Sequence, residues 1–173
     1  MTFTELLIKN KQSIIKQWFS LIIETYPQDT ARFLKREQDP FANPVGNTTQ
    51  KNITEIFEQL LQDKVEKNIL TDYLDPILRI RAIQNFSASQ AVGFILEIKN
   101  IVRKIIDDSK FSFSNDDYYR FESRVDQMTL YAFDIYMTCK EKIYDLKANE
   151  IRERSFKVLE RANLIEKMPA TAA

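Results

Sequence analysis

The chain has 173 residues, with 25 basic side chains balanced by 25 acidic ones and no histidine. Apolar residues make up 44% and aromatic residues 12%, enough for one domain with a sizeable core. There is no basic stripe for nucleic acid, and no apolar run approaches the roughly 20 residues a spanning helix needs. Without histidine the usual general base, most zinc sites and a proximal haem ligand are missing. Gly46 and Gly93 are the only glycines, so neither a phosphate loop nor a dinucleotide turn can be built. The expectation is a non-enzyme with no cofactor, no metal, no nucleic-acid partner and no membrane insertion. The start, MTFTELLIKNKQ, lacks a basic region followed by an apolar one, and the lone Cys139 can form no intrachain disulfide. Both point to the cytoplasm.

Nearly every segment reads as helix. The first is predicted from Thr2 to Tyr26, opened by the capping-box spacing of Thr2 and Glu5, with Leu7, Ile14, Trp18 and Leu21 on one stripe. Pro27 ends it and opens a short second helix, PQDTARFLKRE. The connector DPFANPVGNTT concentrates two of the five prolines and one of the two glycines. It reads as a rigid corner: Pro40 and Pro44 fix extended backbone and Gly46 permits a positive φ. Asn47 and Gln50 have the spacing to cap the next helix, whose face is Ile53, Ile56, Phe57, Leu60 and Leu61.

A fourth helix covers TDYLDPILRIRAIQ, with Pro76 tolerable in the first turn or at a kink. Ser87 and Gln90 cap the following AVGFILEIKNIVRKII, and DDSKFSFSNDD is the next break. From about Ser114 to Ile165 there is no proline and no glycine. There Phe121, Val125, Met128, Ala132, Ile135, Cys139, Ile143 and Leu146 step by threes and fours as bundle helices do. A second seam, Ile151, Ser155, Val158, Ala162 and Ile165, is offset from the first by one residue. The prediction is an all-α bundle of about six helices with a long C-terminal helix whose end projects and pairs. The expected organisation is a domain over 1–147 and a helical extension over 148–173.

Two charges fall where apolar residues belong. At about 100° per residue, Arg81 lies amid Leu74, Ile77 and Leu78, and Glu37 lies between Phe33 and Leu34. A buried charge needs a partner, so the favoured expectation pairs Arg81 with Glu37. The functional alternative makes Arg81 a receptor for an anionic ligand, with Arg79 at the rim. Trp18, Tyr26, Phe33, Phe41 and Phe86 are candidates to line a small-ligand pocket, although aromatic residues at helical spacing more often form core. Cys139, on the apolar seam, reads as an inert thiol. Asp107, Asp108, Asp116 and Asp117 match no calcium-loop spacing.

The segments ETYPQDTARFLKREQDPFANPVGNT and RIRAIQNFSASQAVGFI, in that order, resemble the N-terminal domain of the RsbRD type of RsbT co-antagonist proteins. The resemblance covers roughly Leu6 to Asp145. It implies a globin-like sensor domain that binds no haem, forms dimers and passes signals into bacterial stress-response assemblies, the stressosomes. The absence of histidine fits a globin-like bundle without haem. Co-antagonists of this type carry a STAS domain after the sensor, whereas EKMPATAA after Ile165 is too short for one. The signal is therefore expected to leave through non-covalent partners.

The resulting expectation is a non-catalytic sensory or regulatory module that forms a homodimer through its last helix. Ile135, Ile143, Leu146, Ile151, Val158, Ala162 and Ile165 are the candidate contacts. The signalling corner comprises Trp18, Tyr26, Phe33, Glu37, Phe41, Asn43, Arg79, Arg81 and Phe86. The alternative is an accessory interaction subunit of a larger assembly, such as an anaerobic redox complex, with an unidentified protein partner.

Overall fold

The computed structural model describes residues 2–84, 86–109 and 114–162. These residues are helical and form no strand. The helices are α1 (Phe3–Lys9), α2 (Lys11–Glu24), α3 (Gln28–Arg36), α4 (Pro44–Leu60), α5 (Lys67–Ile83), α6 (Ala88–Val92), α7 (Glu97–Ser109) and α8 (Asn115–Arg161), with a 3-10 turn at Gly93–Ile95. The all-α class and the long last helix match the sequence expectation.

The chain divides into two compact units, Met1–Cys139 and Lys140–Ala173. In the first, α2 packs against α3, α4 and α7, and α4 packs against α5. Their shared core holds Ile14, Trp18, Ile22, Ile53, Phe57, Leu74, Leu78 and Val102, all fully or almost fully buried. The part of α8 in this unit buries Phe121, Val125, Met128, Ala132 and Tyr136, the first part of the predicted seam. Polar ties reinforce it: Lys99 bridges to Asp126 at 2.6 Å, and Arg103 donates to the Tyr118 hydroxyl at 2.6 Å. In the second unit, residues 140–161 continue as helix.

Local chemistry explains where the predicted elements shifted. The capping boxes of Thr2 with Glu5 and of Ser87 with Gln90 are both formed. The single first helix becomes two, because the Asn10 amide donates back to the Leu6 carbonyl at 2.9 Å and closes α1. Helix α5 starts earlier than predicted, which leaves Pro76 inside it rather than in its first turn. The predicted break DDSKFSFSNDD falls partly outside the described residues.

The corner differs from expectation in an instructive way. Asn43, not Asn47, caps α4, and Pro44 occupies the first helical position, where its missing N–H costs nothing. The buried Asn43 amide donates to the Leu34 carbonyl at 3.0 Å and to the Glu37 carbonyl at 2.8 Å. Its oxygen accepts the Gly46 N–H at 2.8 Å. One side chain therefore ties the end of α3 to the start of α4. Gly46 lies in the helix without a positive φ, and its role is spatial: a Cβ there would collide with the Asn43 carboxamide.

This reverses the usual sign of a helical glycine substitution. Gly46→Ala is expected to lower the unfolding free energy by about 1–3 kcal/mol, where an unobstructed helical site would gain up to about 1. In an Asn43→Ala background the same change becomes neutral or stabilising. Urea unfolding of the four proteins measures it, and a stabilising Gly46→Ala in the parent chain contradicts the corner geometry.

Candidate functional site: a buried arginine among aromatic rings

Arg81 is 1% exposed, as its place on the apolar face of α5 predicted, but Glu37 is not its partner. Glu37 accepts the backbone N–H of Asp39 at 2.9 Å and stays half-buried. The guanidinium instead uses uncharged acceptors. Nη1 donates to the Gln90 carbonyl at 2.9 Å, and Nη2 donates to the Ile22 carbonyl at 3.2 Å and to the Thr25 hydroxyl at 3.0 Å. Ile22 lies in the last turn of α2, at the negative end of the helix dipole, and its carbonyl also accepts the Thr25 hydroxyl at 2.6 Å and the Thr25 N–H at 3.3 Å. Gln90 lies in the short α6, just before the 3-10 turn. Among the described residues, Arg81 makes no ion pair and its buried Nε has no hydrogen-bond partner.

Aromatic faces supply the remaining compensation. The guanidinium carbon lies 4.7 Å from the Phe86 ring centroid, 5.1 Å from Phe94 and 5.7 Å from Tyr26. These are cation–π distances, and such contacts gain strength where water is excluded. Tyr26 meets Phe86 edge-to-face at 5.3 Å. Trp18 joins from α2, its ring 6.2 Å from Phe94 and its indole N–H donating to the Phe94 carbonyl at 2.7 Å. The Tyr136 hydroxyl on α8 donates to the Phe86 carbonyl. One cluster thus ties together α2, α5, the Phe86–Phe94 segment and α8.

The electrostatics follow from burial. Desolvation pulls the Arg81 pKa below its ordinary value, opposed by the nearby Tyr26. Burial pushes the Tyr26 phenol above its ordinary 10.0, and the Arg81 cation only partly opposes that.

The rest of the predicted site lies elsewhere. Phe41 is 95% exposed, with its N–H held by Asp39 at 2.9 Å. Phe33 is half exposed on α3, lining an open depression with Asp29, Arg32, Arg36 and Glu37. Arg79 is exposed and bridges to Asp75 one turn back. Asn43 and Glu37 share a second depression of about 310 Å³ with Phe19, Leu34 and Lys35. Trp18, Tyr26, Arg81 and Phe86 do come together. Thr25, Gln90 and Phe94 complete their cluster and were not foreseen; Gly93 within an apolar helical run was the one available sign of the break that exposes those carbonyls.

On α8, Ile135 and Ile143 are half-buried and Leu146 is 70% exposed, as are Ile151 and Val158 at more than 60%. Ala162 is exposed at the end of α8, and Ile165 lies outside the described residues. In the first unit, Leu130, Phe133 and Met137 are exposed on the side of α8 away from its buried residues. In the second, Tyr144, Ile151 and Val158 are exposed. Leu130, Met137, Tyr144, Ile151 and Val158 stand seven residues apart throughout. Among the described residues no helix is long and apolar enough to cross a membrane, and no cluster of potential metal ligands occurs.

Residues 12–151 match the sequence pattern of the RsbT co-antagonist protein rsbRD N-terminal domain. The chain belongs to the RsbRD N-terminal domain family. That family consists of regulatory domains of stress-signalling proteins. An uncharacterized protein of Archaeoglobus fulgidus is 27% identical over 82 residues, which are 47% of this chain and 51% of that protein. The match therefore spans about half the length of the relative. No solved structure matches the chain. The Arg81 cluster, the Asn43 corner and α8 up to residue 151 all lie within the RsbRD-type segment.

Because the Tyr26 phenol is raised, the folded state holds its proton more tightly than the unfolded chain. Its contribution to stability is complete below pH 10 and falls as the pH rises through the raised folded value. Tyr26→Phe removes this component, so the variant should lose less unfolding free energy than the parent between neutral pH and pH above 10. Equal losses in denaturant titrations at both pH values contradict the burial of the phenol against Arg81.

Proposed function

We propose that this chain is a non-catalytic sensory or regulatory module that acts through protein–protein contacts. The observation that carries this reading is α8. One side of it packs in the first unit's core, and five of its exposed apolar residues, Leu130, Met137, Tyr144, Ile151 and Val158, recur every seven positions, with Phe133, Leu146, Phe156 and Leu159 exposed beside that register. That is the pattern of a helix that pairs with another helix. The input side is the wall made by the Arg81 cluster and the Asn43 corner. A change in helix packing there reaches α8 through the bond between Phe86 and Tyr136, and α8 then alters the surface it offers to a partner.

Family membership supports a regulatory rather than a catalytic role. On this reading no haem and no metal is needed, and the location is the cytoplasm. Pairing with a second copy through α8 is the form of contact expected for a sensor that works as a homodimer. The second reading, an accessory subunit docked to a different protein, is favoured by the basic row beside the seam: Lys140, Lys147, Arg154 and Arg161.

Both readings require the exposed seam. Ile151→Lys with Val158→Lys in the full chain is expected to abolish association, whether with itself or with a protein that co-purifies from the native source. Light scattering reads the association, and thermal melting should show the first unit unaffected. Association that survives the double substitution, or a parent chain that associates with nothing, contradicts a module that works by contact.

A further inference from the structure

The depression of about 310 Å³ at the Asn43 corner is lined from α2, α3 and α4, and lies at the small end of the roughly 300–1,000 Å³ typical of small-molecule sites. Two of its walls are fixed by packing. The Asn43 carboxamide has both donors and its oxygen engaged, and Gly46 beside it carries no side chain to fill the space. Phe19, packed against the cluster of Ile23, Ala31 and Leu34, supplies an aromatic wall.

The rest of the lining is polar and mostly uncommitted. Asn47 and Gln50 stand three residues apart on the face of α4 that carries Gly46, and Gln38 joins them from the connector after α3. Among the described residues the side-chain carboxamides of Gln38, Asn47 and Gln50 make no hydrogen bond. The charged groups are placed differently. Lys35 gives its ammonium to Glu24 at 2.8 Å, which leaves little for an anion. Glu37 accepts the Asp39 N–H with one carboxylate oxygen, and its other oxygen has no hydrogen bond among the described residues. The depression therefore offers three free carboxamides and a spare carboxylate oxygen, but no spare cation.

We propose that this depression binds a neutral polyol of monosaccharide size. A carboxamide carries two donors and an acceptor, and a hydroxyl is donor and acceptor on one atom, so neighbouring carboxamides match neighbouring hydroxyls. The C–H groups of such a molecule suit the aromatic wall, because ring faces carry partial negative charge. An anionic solute, a sugar phosphate included, meets Glu37 with no free cation to offset it. A metal cation finds only one half-buried carboxylate, too few oxygens to hold it. A polyol held between Gln38 and α4 braces the same joint that Asn43 makes between α3 and α4. As a sensory input the site rests on the reading of the Asn43 corner as the receiving wall; as a binding site it does not.

The test titrates the full chain with D-glucose, D-ribose and myo-inositol, reading the side-chain amide signals of Gln38, Asn47 and Gln50 by two-dimensional NMR. At least one of these polyols should shift those signals saturably, with a dissociation constant of about 1 mM or tighter. The monophosphate of that polyol should bind at least about tenfold more weakly. Asn47→Leu combined with Gln50→Leu should weaken the polyol at least about tenfold, and a thermal melt equal to the parent's shows that this variant keeps its fold. Gln38→Ala, on the exposed connector, is the second variant and should weaken binding at least about threefold. Unsaturated shifts with all three probes up to about 50 mM, equal or tighter binding of the phosphate, tighter binding of L-glutamine, or unchanged affinity in both variants overturns the inference. If no polyol binds while association still depends on Ile151 and Val158, only the ligand site is refuted and the contact reading stands. If a polyol binds and the chain associates with nothing, the contact reading fails and the site stands.

Discussion

The fold of the first unit turns on a buried guanidinium held without a carboxylate. Removing an arginine from water is costly, and the usual remedy is an acidic partner. Arg81 is stabilised instead by the carbonyls of Ile22 and Gln90, the Thr25 hydroxyl and the faces of three rings. Each acceptor is weaker than a carboxylate, but together they point at a planar fork that only arginine presents. Trp18 and Tyr136 then fasten the same Phe86–Phe94 segment from α2 and α8. Such a joint has an unusual property. It positions three elements through groups that each could be made by another partner, so its geometry is set by packing rather than by one strong ion pair.

The Asn43 corner works by the same logic on a smaller scale. One carboxamide satisfies two carbonyls at the end of α3 and one N–H at the start of α4. Gly46 leaves the room that this side chain occupies. The corner thus keeps the apolar side of α3, through Ala31 and Leu34, seated on Ile23. Both devices satisfy polar groups at helix ends, and both lie where the chain changes direction.

What the sequence revealed follows from this chemistry. Helix periodicity made the all-α class and the long α8 legible, because period and the absence of proline and glycine are local properties. The burial of Arg81 was legible from its neighbours Leu74, Ile77 and Leu78. Its partners were not, since carbonyls belong to every residue and leave no mark in composition, whereas the charge of Glu37 is visible in sequence. The cap moved from Asn47 to Asn43 because the proline at the first helical position of α4 fits that register better than the capping-box spacing does. Phe33 and Phe41 shared only proximity in sequence with the aromatic cluster, and the direction of α3 and the corner leaves them exposed. On α8 the core seam could be read from its threes and fours, but the exposed heptad required knowing which side the core already uses.

The central claim is that Arg81 holds the end of α2 and the α6 segment together through their carbonyls. Native-state hydrogen exchange of the full chain, comparing the parent with Arg81→Met, tests it most directly. The account predicts that amide protection falls selectively in the last turn of α2, near Ile22 to Tyr26, and from Ala91 to Phe94, while the centre of α4 keeps its protection. Protection that is unchanged at both sites, or lowered equally throughout the first unit, would show that the arginine is an incidental occupant of the core.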